Sequence, residues 1–258
     1  MGLKKDVYYA QKVCKKRSFV NYSKIYFNTN EKIDELLEKV DLKGKKVFSV
    51  LSSSDQYLKI NKNGANCTDV FDRNRLTYYY YYMRIWSIIY RGSLYPLELL
   101  ENKYQEIEKL LSEVVVHSEE EKRAVLFWQI LVKKKVDFSN MFNVLEDSCL
   151  TDNVSSFEFV DKSKVTFINV DFFKKSNFQR KYDIVFLSNI LEWTNGDVRL
   201  TKKMENNLLK LLNPNGMVLC SRLNYVFKYN ELDEKRVFDA NFDYFDYGET
   251  VGYSYTKK

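Results

Sequence analysis

Short apolar runs alternate with amphipathic stretches along most of the chain. Residues 31–40, EKIDELLEKV, set Ile33, Leu36, Leu37 and Val40 at helical spacing, with Asn30 as a cap and Gly44 as a stop. Val47 to Leu51 reads as a buried strand, and a helix is predicted from near Asp55. Gly64-Ala65 turns the chain into a second strand, Asn66 to Phe71, that ends on Asp72. In the next helix Leu76, Tyr79, Tyr80, Met83, Trp86 and Tyr90 recur on one face, so this tyrosine run reads as core rather than as a base-stacking platform.

Residues 93–150 carry helical patterns such as LELLENKYQEIEKLL and EEEKRAVLFWQILVKKK, with no strand signal. Strands return at Val165 to Val170, before Asp171, and at Tyr182 to Leu187, before Ser188-Asn189. A helix over 198–212 is closed by Asn213-Pro214-Asn215-Gly216, a strong turn signal, and Met217 to Leu223 is the next strand. Around Gly248, Tyr244–Tyr247 and Thr250–Tyr255 alternate like an antiparallel hairpin.

This order predicts an α/β protein. The sheet is Rossmann-like, mostly parallel and seven-stranded, with a C-terminal antiparallel hairpin and a helical insertion over 93–150. Residues 1–43 are expected as an N-terminal helical or cap segment, and 44–258 as the ligand-binding domain. Ligands bind such sheets at the carboxyl ends of the strands, near the point where the winding reverses. Polar residues gather at those ends: Ser52, Ser53, Ser54 and Asp55 after the first strand, Asp72 after the second, Asp171 after the third, and Ser188 with Asn189 after the fourth. A carboxylate placed like Asp72 can accept from both hydroxyls of an adenosine ribose; its other role would be a helix cap. Asp171 with Phe172 suits an adenine amino group and ring, or again a turn.

Composition narrows the chemistry. Apolar residues make up 45% of the 258, enough for a sizeable core without staples. Four cysteines, Cys14, Cys67, Cys149 and Cys220, show no paired spacing, so neither a zinc site nor a disulfide framework is expected. No apolar run is long enough for a transmembrane helix, and the first residues lack a signal core; a cytoplasmic location is expected. The net charge of +6 is partly local, in Lys4, Lys5, Lys12, Lys15, Lys16 and Arg17. Such an end is most simply solvated, and peripheral contact with an anionic surface is the other role open to it. The lone His117 lies in the helical block beside a glutamate run and is not expected to act in catalysis.

The ordered set resembles the class I S-adenosylmethionine-dependent methyltransferases over roughly 44–92 and 163–258. SNILEW (188–193) looks like their segment after strand four, and LLNPNGMVL (211–219) like their turn before strand five. Their usual first loop carries three glycines and an acid in the strand; Ser49, Leu51, Ser53 and Asp55 stand there instead. A nearer resemblance is to the S-adenosylmethionine:diacylglycerol 3-amino-3-carboxypropyltransferases of betaine-lipid synthesis and their relatives. VLSSSDQYL (50–58) is similar to their serine-rich loop, with Ser54 at a glycine position. Gly64-Ala65, Val70, Asp72 and Asn74 match their next motif, and NYSKIY (21–26) the segment before their domain.

The resemblance implies S-adenosylmethionine as cofactor and no metal. Its ligands would be Tyr22, Ser52, Ser53, Ser54, Asp55, Asp72, Asn74, Asp171, Phe172 and Ser188. Serine hydroxyls would meet the methionyl carboxylate, Asp55 would meet the ammonium group, and Asn189 and Glu192 would position the acceptor. A methyl or a 3-amino-3-carboxypropyl group would move to a small-molecule or lipid acceptor. The glycine-poor loop keeps a non-catalytic binding module as the alternative. A nucleic-acid methyltransferase is less favoured, because SNILEW lacks an Asn-Pro-Pro-aromatic motif. A dehydrogenase is disfavoured by the absence of GxGxxG.

Overall fold

The computed structural model describes residues 2–15, 24–28, 33–38, 40–144, 165–171, 174, 178–188, 190, 198–221, 232–240 and 250–257. The chain divides into two compact units. One holds Met1–Asn30, Leu51–Asp55 and Asn74–Val160; the other holds Glu31–Val50, Gln56–Arg73 and Asp161–Lys258.

The second unit is an α/β sheet. Its central strand is β2 (Lys46–Val50); β1 (Ile25–Tyr26) belongs to the other unit. β2 lies between β3 (Cys67–Asp72) and β6 (Tyr182–Ser188), and β5 (Val165–Asn169) and β7 (Leu212–Ser221) lie outside these. All four of these pairings are parallel. Beyond β7 run β9 (Thr250–Lys257) and then β8 (Leu232–Ala240), both paired antiparallel. Of the hairpin strands expected around Gly248, Tyr244–Tyr247 lies outside the described residues.

The strands form where the apolar runs predicted them, because each alternates between two buried faces. On one face Phe48, Phe71, Val185, Leu187 and Val218 pack with Leu208 and Leu211 of α8 (Val198–Leu211). Val47, Ile184, Phe186 and Leu219 line the other, with Ile60 of α3 (Asp55–Lys62) and Ile33 and Leu37 of α2 (Ile33–Leu37). Continuous apolar strands covered on both faces are what a parallel sheet requires.

The Asn-Pro-Asn-Gly segment does not stand before its strand as expected. Leu212 pairs with Tyr182 and Met217 with Ile184, so these four residues bulge out against Asp183 alone. Asn215 takes a positive φ of 60°, and a Cβ on Gly216 would come within 2.8 Å of the Asn213 carbonyl oxygen. The Asp183 carboxylate closes the bulge, accepting from the Lys46 backbone N–H (2.9 Å) and from Asn213 Nδ2 (2.8 Å). The Lys46 N–H leads the causes that hold this carboxyl below its ordinary value.

The first unit is helical. It contains α1 (Leu3–Lys15), α4 (Leu76–Arg91), α5 (Leu97–Leu100), α6 (Tyr104–Glu113) and α7 (Glu119–Lys133), with β1 paired to β4 (Phe142–Asn143). Met1–Asn30 and the helical block thus share one unit with α4, whereas Glu31–Val50 belongs to the sheet unit. Gly92 ends α4 in the left-handed region (φ 60°), its N–H reaching the Ile88 carbonyl while the Ser93 N–H reaches that of Ser87. Ser118 caps α7 by accepting from the Glu121 N–H, and the Glu121 carboxylate accepts from the His117 N–H. Tyr79, Tyr80, Met83, Trp86, Phe127 and Trp128 make the core, as the helical spacing predicted for α4.

Candidate functional site

The loop after β2 supplies the first group of candidates. The Ser54 N–H bonds back to the Leu51 carbonyl at 2.6 Å, closing a tight turn. Ser52 and Ser54 both take left-handed φ values, 46° and 76°. The loop thus adopts backbone that normally selects glycine, without glycine. Ser53, Ser54 and Asp55 are fully buried.

Asp55 is held from two directions. Its Oδ1 accepts from Arg84 Nη1 at 2.5 Å, and its Oδ2 accepts from Ser53 Oγ at 2.7 Å. The same Nη1 donates to the Ser53 carbonyl (2.6 Å), and Arg84 Nε donates to the Leu94 carbonyl (3.0 Å). The guanidinium lies over the Tyr95 ring, 4.6 Å from its centroid. Neither Asp55 nor Arg84 has any exposed side chain. Burial works against the guanidinium charge, but Asp55 first, then Tyr80 and Tyr95, outweigh it and raise the Arg84 pKa. Ser54 Oγ and Arg84 Nη2 are buried without a hydrogen-bond partner among the described residues.

Asp55 fastens its own loop to α4 through Arg84. Arg84 was missed in the sequence, where it reads as one position in a tyrosine-rich core helix. The signal was a charge set between Met83 and Ile85.

Asn74 is engaged in a similar way. Its Nδ2 donates to the Lys24 carbonyl (3.1 Å) and its Oδ1 accepts from the Leu76 N–H (3.1 Å), organising the start of α4. An amide with both ends so engaged ties the helix start to the Lys24 segment.

In the sheet unit, Asp72 is the last residue of β3 and partly exposed. Its carbonyl accepts from the Val170 N–H (3.2 Å) and from Asn169 Nδ2 (2.9 Å), tying the carboxyl ends of β3 and β5 together. Asp171 follows β5 with its carboxylate 3.6 Å from Lys174 Nζ. Ser188 ends β6 with a positive φ of 55° and is nearly buried. The sheet therefore brings Asp72, Asp171 and Ser188 to the carboxyl ends of their strands. Tyr22, Phe172, Asn189 and Glu192 lie outside the described residues.

A second buried carboxylate also escaped the sequence reading. Asp69, inside β3, accepts from Tyr182 Oη (2.6 Å) and from Arg180 Nη1 (2.9 Å). It lies within the strand, away from the carboxyl end, and braces β3 against β6 through Tyr182. Burial, then Asp69, raises the Tyr182 pKa. Among the described residues no group of three or more His, Cys, Asp or Glu could hold a metal ion, and no helix is long and apolar enough to cross a membrane.

No protein-family model matches the chain, and no curated protein does. Among solved structures it is similar to the N-methyltransferase NodS from Bradyrhizobium japonicum WM9 in complex with S-adenosyl-L-homocysteine. Identity there is 9%, over 98% of this chain and 98% of that one, with a TM-score of 0.45. A TehB-like SAM-dependent methyltransferase from Corynebacterium glutamicum is 8% identical, over 90% of each chain, with a TM-score of 0.44. The ribosomal protein L11 methylase from Lactobacillus delbrueckii subsp. bulgaricus is 10% identical, over 88% of this chain and 77% of that one, with a TM-score of 0.39. Similarity at this level assigns the chain neither a cofactor nor an acceptor.

Proposed function

We propose that this chain is an S-adenosylmethionine-dependent transferase. The observation that carries the reading is the strand order. The first strand of the sheet in chain order, β2, is central, with the second and third on one side and the fourth and fifth on the other. The winding reverses between β2 and β6, and open α/β sheets bind ligands at the carboxyl ends beside such a reversal. The seven-stranded pattern, with antiparallel β9 set between β7 and β8, supports the class I methyltransferase reading further.

The donor set at the strand ends fits an adenosyl group. A partly exposed carboxylate at the end of β3 suits two vicinal hydroxyls, the role given to Asp72. Asp171, with Phe172, would take the adenine, and Ser188 would line the same end of the sheet. When bound, the cofactor supplies a sulfonium-activated carbon, so the protein needs neither a metal nor a covalent nucleophile. Asn189 and Glu192, following β6 in the chain, would orient the acceptor, and the Glu192 carboxylate would take its proton.

The group transferred is methyl or 3-amino-3-carboxypropyl, and the acceptor a small molecule or lipid. A binding module without turnover is the second reading. It is favoured by one observation, a loop whose acid is committed to Arg84 and whose serines hold glycine-type backbone.

Calorimetric titration with S-adenosylmethionine, with NAD as control, tests the proposal. Binding of the first alone is expected. Asp72→Ala should weaken it about tenfold or more, as loss of a charged hydrogen-bonding partner does, with the fold kept. Unchanged affinity would remove Asp72 from the site; no binding by the parent chain would overturn the proposal. Incubation with acceptor extracts then separates the outcomes: S-adenosylhomocysteine marks methyl transfer, methylthioadenosine marks aminocarboxypropyl transfer, and neither marks the binding module.

A further inference from the structure

The outward face of α1 carries a stripe of one sign. Val7, Ala10, Val13 and Cys14 face the core of the helical unit, and so does Asp6, the only acid on the helix. Asp6 accepts from Tyr79 Oη (2.6 Å) and Arg123 Nη2 (2.5 Å), and Arg75 Nε lies 3.3 Å away. With its acid turned inward and neutralised, α1 presents only Lys4, Lys5, Tyr8, Tyr9, Lys12 and Lys15 to solvent, besides the partly exposed Leu3 and Gln11. Tyr8 is 59% exposed and Tyr9 39%. Lys12 Nζ lies 4.7 Å over the Tyr8 ring, and no described carboxylate pairs with any of the four lysines. The stripe runs the length of a 13-residue helix, about 20 Å at 1.5 Å per residue.

We propose that this face docks the protein on an anionic membrane surface. The complementarity is a field rather than a fit. Lysine is a compact point charge on a flexible stem, suited to a diffuse layer of headgroups, whereas reading nucleic acid favours the forked guanidinium, absent from this face. Two tyrosines set among lysines match the headgroup depth of a bilayer, where amphipathic rings sit with cations around them. With no aliphatic side chain fully exposed on the stripe, contact would be peripheral and reversed by salt.

Co-sedimentation of the full chain with phosphatidylcholine vesicles, with and without phosphatidylserine, tests this. Binding is expected only with phosphatidylserine at low salt, and release at high salt. Each lysine should contribute about fivefold in affinity. Replacing Lys4, Lys5, Lys12 and Lys15 together by glutamine should therefore abolish sedimentation, while the circular dichroism spectrum and S-adenosylmethionine affinity stay unchanged. Tyr8→Ser with Tyr9→Ser should weaken vesicle binding with all the lysines present. No sedimentation of the parent chain with anionic vesicles would overturn the proposal. So would an unaffected glutamine variant, or single-stranded RNA that displaces the vesicles and binds at lower concentration. Cofactor binding is read separately, so failure here leaves the transferase reading standing, and failure of that reading leaves the vesicle result interpretable.

Discussion

Among the described residues, each unit buries one carboxylate completely, and the two are held differently. Asp55, in the helical unit, faces Arg84, whose side chain is as sealed from solvent as its own. Asp69, in the sheet unit, faces Arg180, whose side chain is 61% exposed, and receives its shortest hydrogen bond from the neutral Tyr182 hydroxyl. At Asp55 cation and anion have both left water, and each depends on the other. At Asp69 the cation remains solvated and its attraction is screened, so the hydroxyl is the firmer anchor. A buried acid near a strand therefore says little about function until its partner's exposure is known. The sealed pair fixes a loop conformation; the half-solvated one ties two strands together.

The largest effect should come from separating the sealed pair. Arg84→Met removes the counter-cation of the buried Asp55 carboxylate, and breaking such a pair costs about 3–5 kcal/mol. Chemical denaturation should show the midpoint fall accordingly. Arg84→Met combined with Asp55→Leu should recover most of the loss, since a buried pair exchanged for apolar groups is often close to neutral. A single variant within about 1 kcal/mol of the parent would mean that water reaches Asp55, and the contrast with Asp69 would collapse.

At Asp69 the ranking of partners is the prediction. Tyr182→Phe removes a hydrogen bond to a buried charged group and should cost about 1.5–3 kcal/mol. Arg180→Ala should cost less than about 1 kcal/mol, because the exposed guanidinium is screened. The same denaturation experiment reads both. If Arg180→Ala proves the costlier change, the guanidinium carries the interaction despite its exposure.

The parallel strands were legible because each is an apolar run whose period and length mean only one thing. The tyrosine helix was legible for the same reason, and Gly92 stops it in the conformation that favours glycine. Partnerships across sequence were not legible. Arg84 meets Asp55 from 29 residues downstream, and Tyr182 meets Asp69 from 113. Periodicity reports which face a residue occupies, not which residue it finds there. The sequence therefore did not show that Asp55 meets Arg84, or that the Asn74 amide organises a helix start. The Asn-Pro-Asn-Gly turn was legible as a turn, but it lies at the start of β7 rather than before it. Its composition announces a reversal, and only the strand pairing shows that the reversal is a bulge held by Asp183.

A further small effect concerns the place where the loop departs most from its usual chemistry, and its sign is opposite to the others. Ser54 holds a φ of 76° beside the sealed pair, with its hydroxyl buried and without a partner among the described residues. An L-residue in that region carries backbone strain, and a buried unpaired hydroxyl adds a desolvation penalty. Ser54→Gly removes both while loosening the unfolded chain, which opposes the gain by about 0.5–1 kcal/mol. The net expectation is stabilisation of about 1 kcal/mol, seen as a rise in Tm. Ser52→Gly, at a φ of 46° and partly exposed, should change Tm less. A fall in Tm for Ser54→Gly would show that the hydroxyl is satisfied within the loop. The serine would then be part of what holds Asp55 and Arg84 together, and the sealed pair would extend to a third residue.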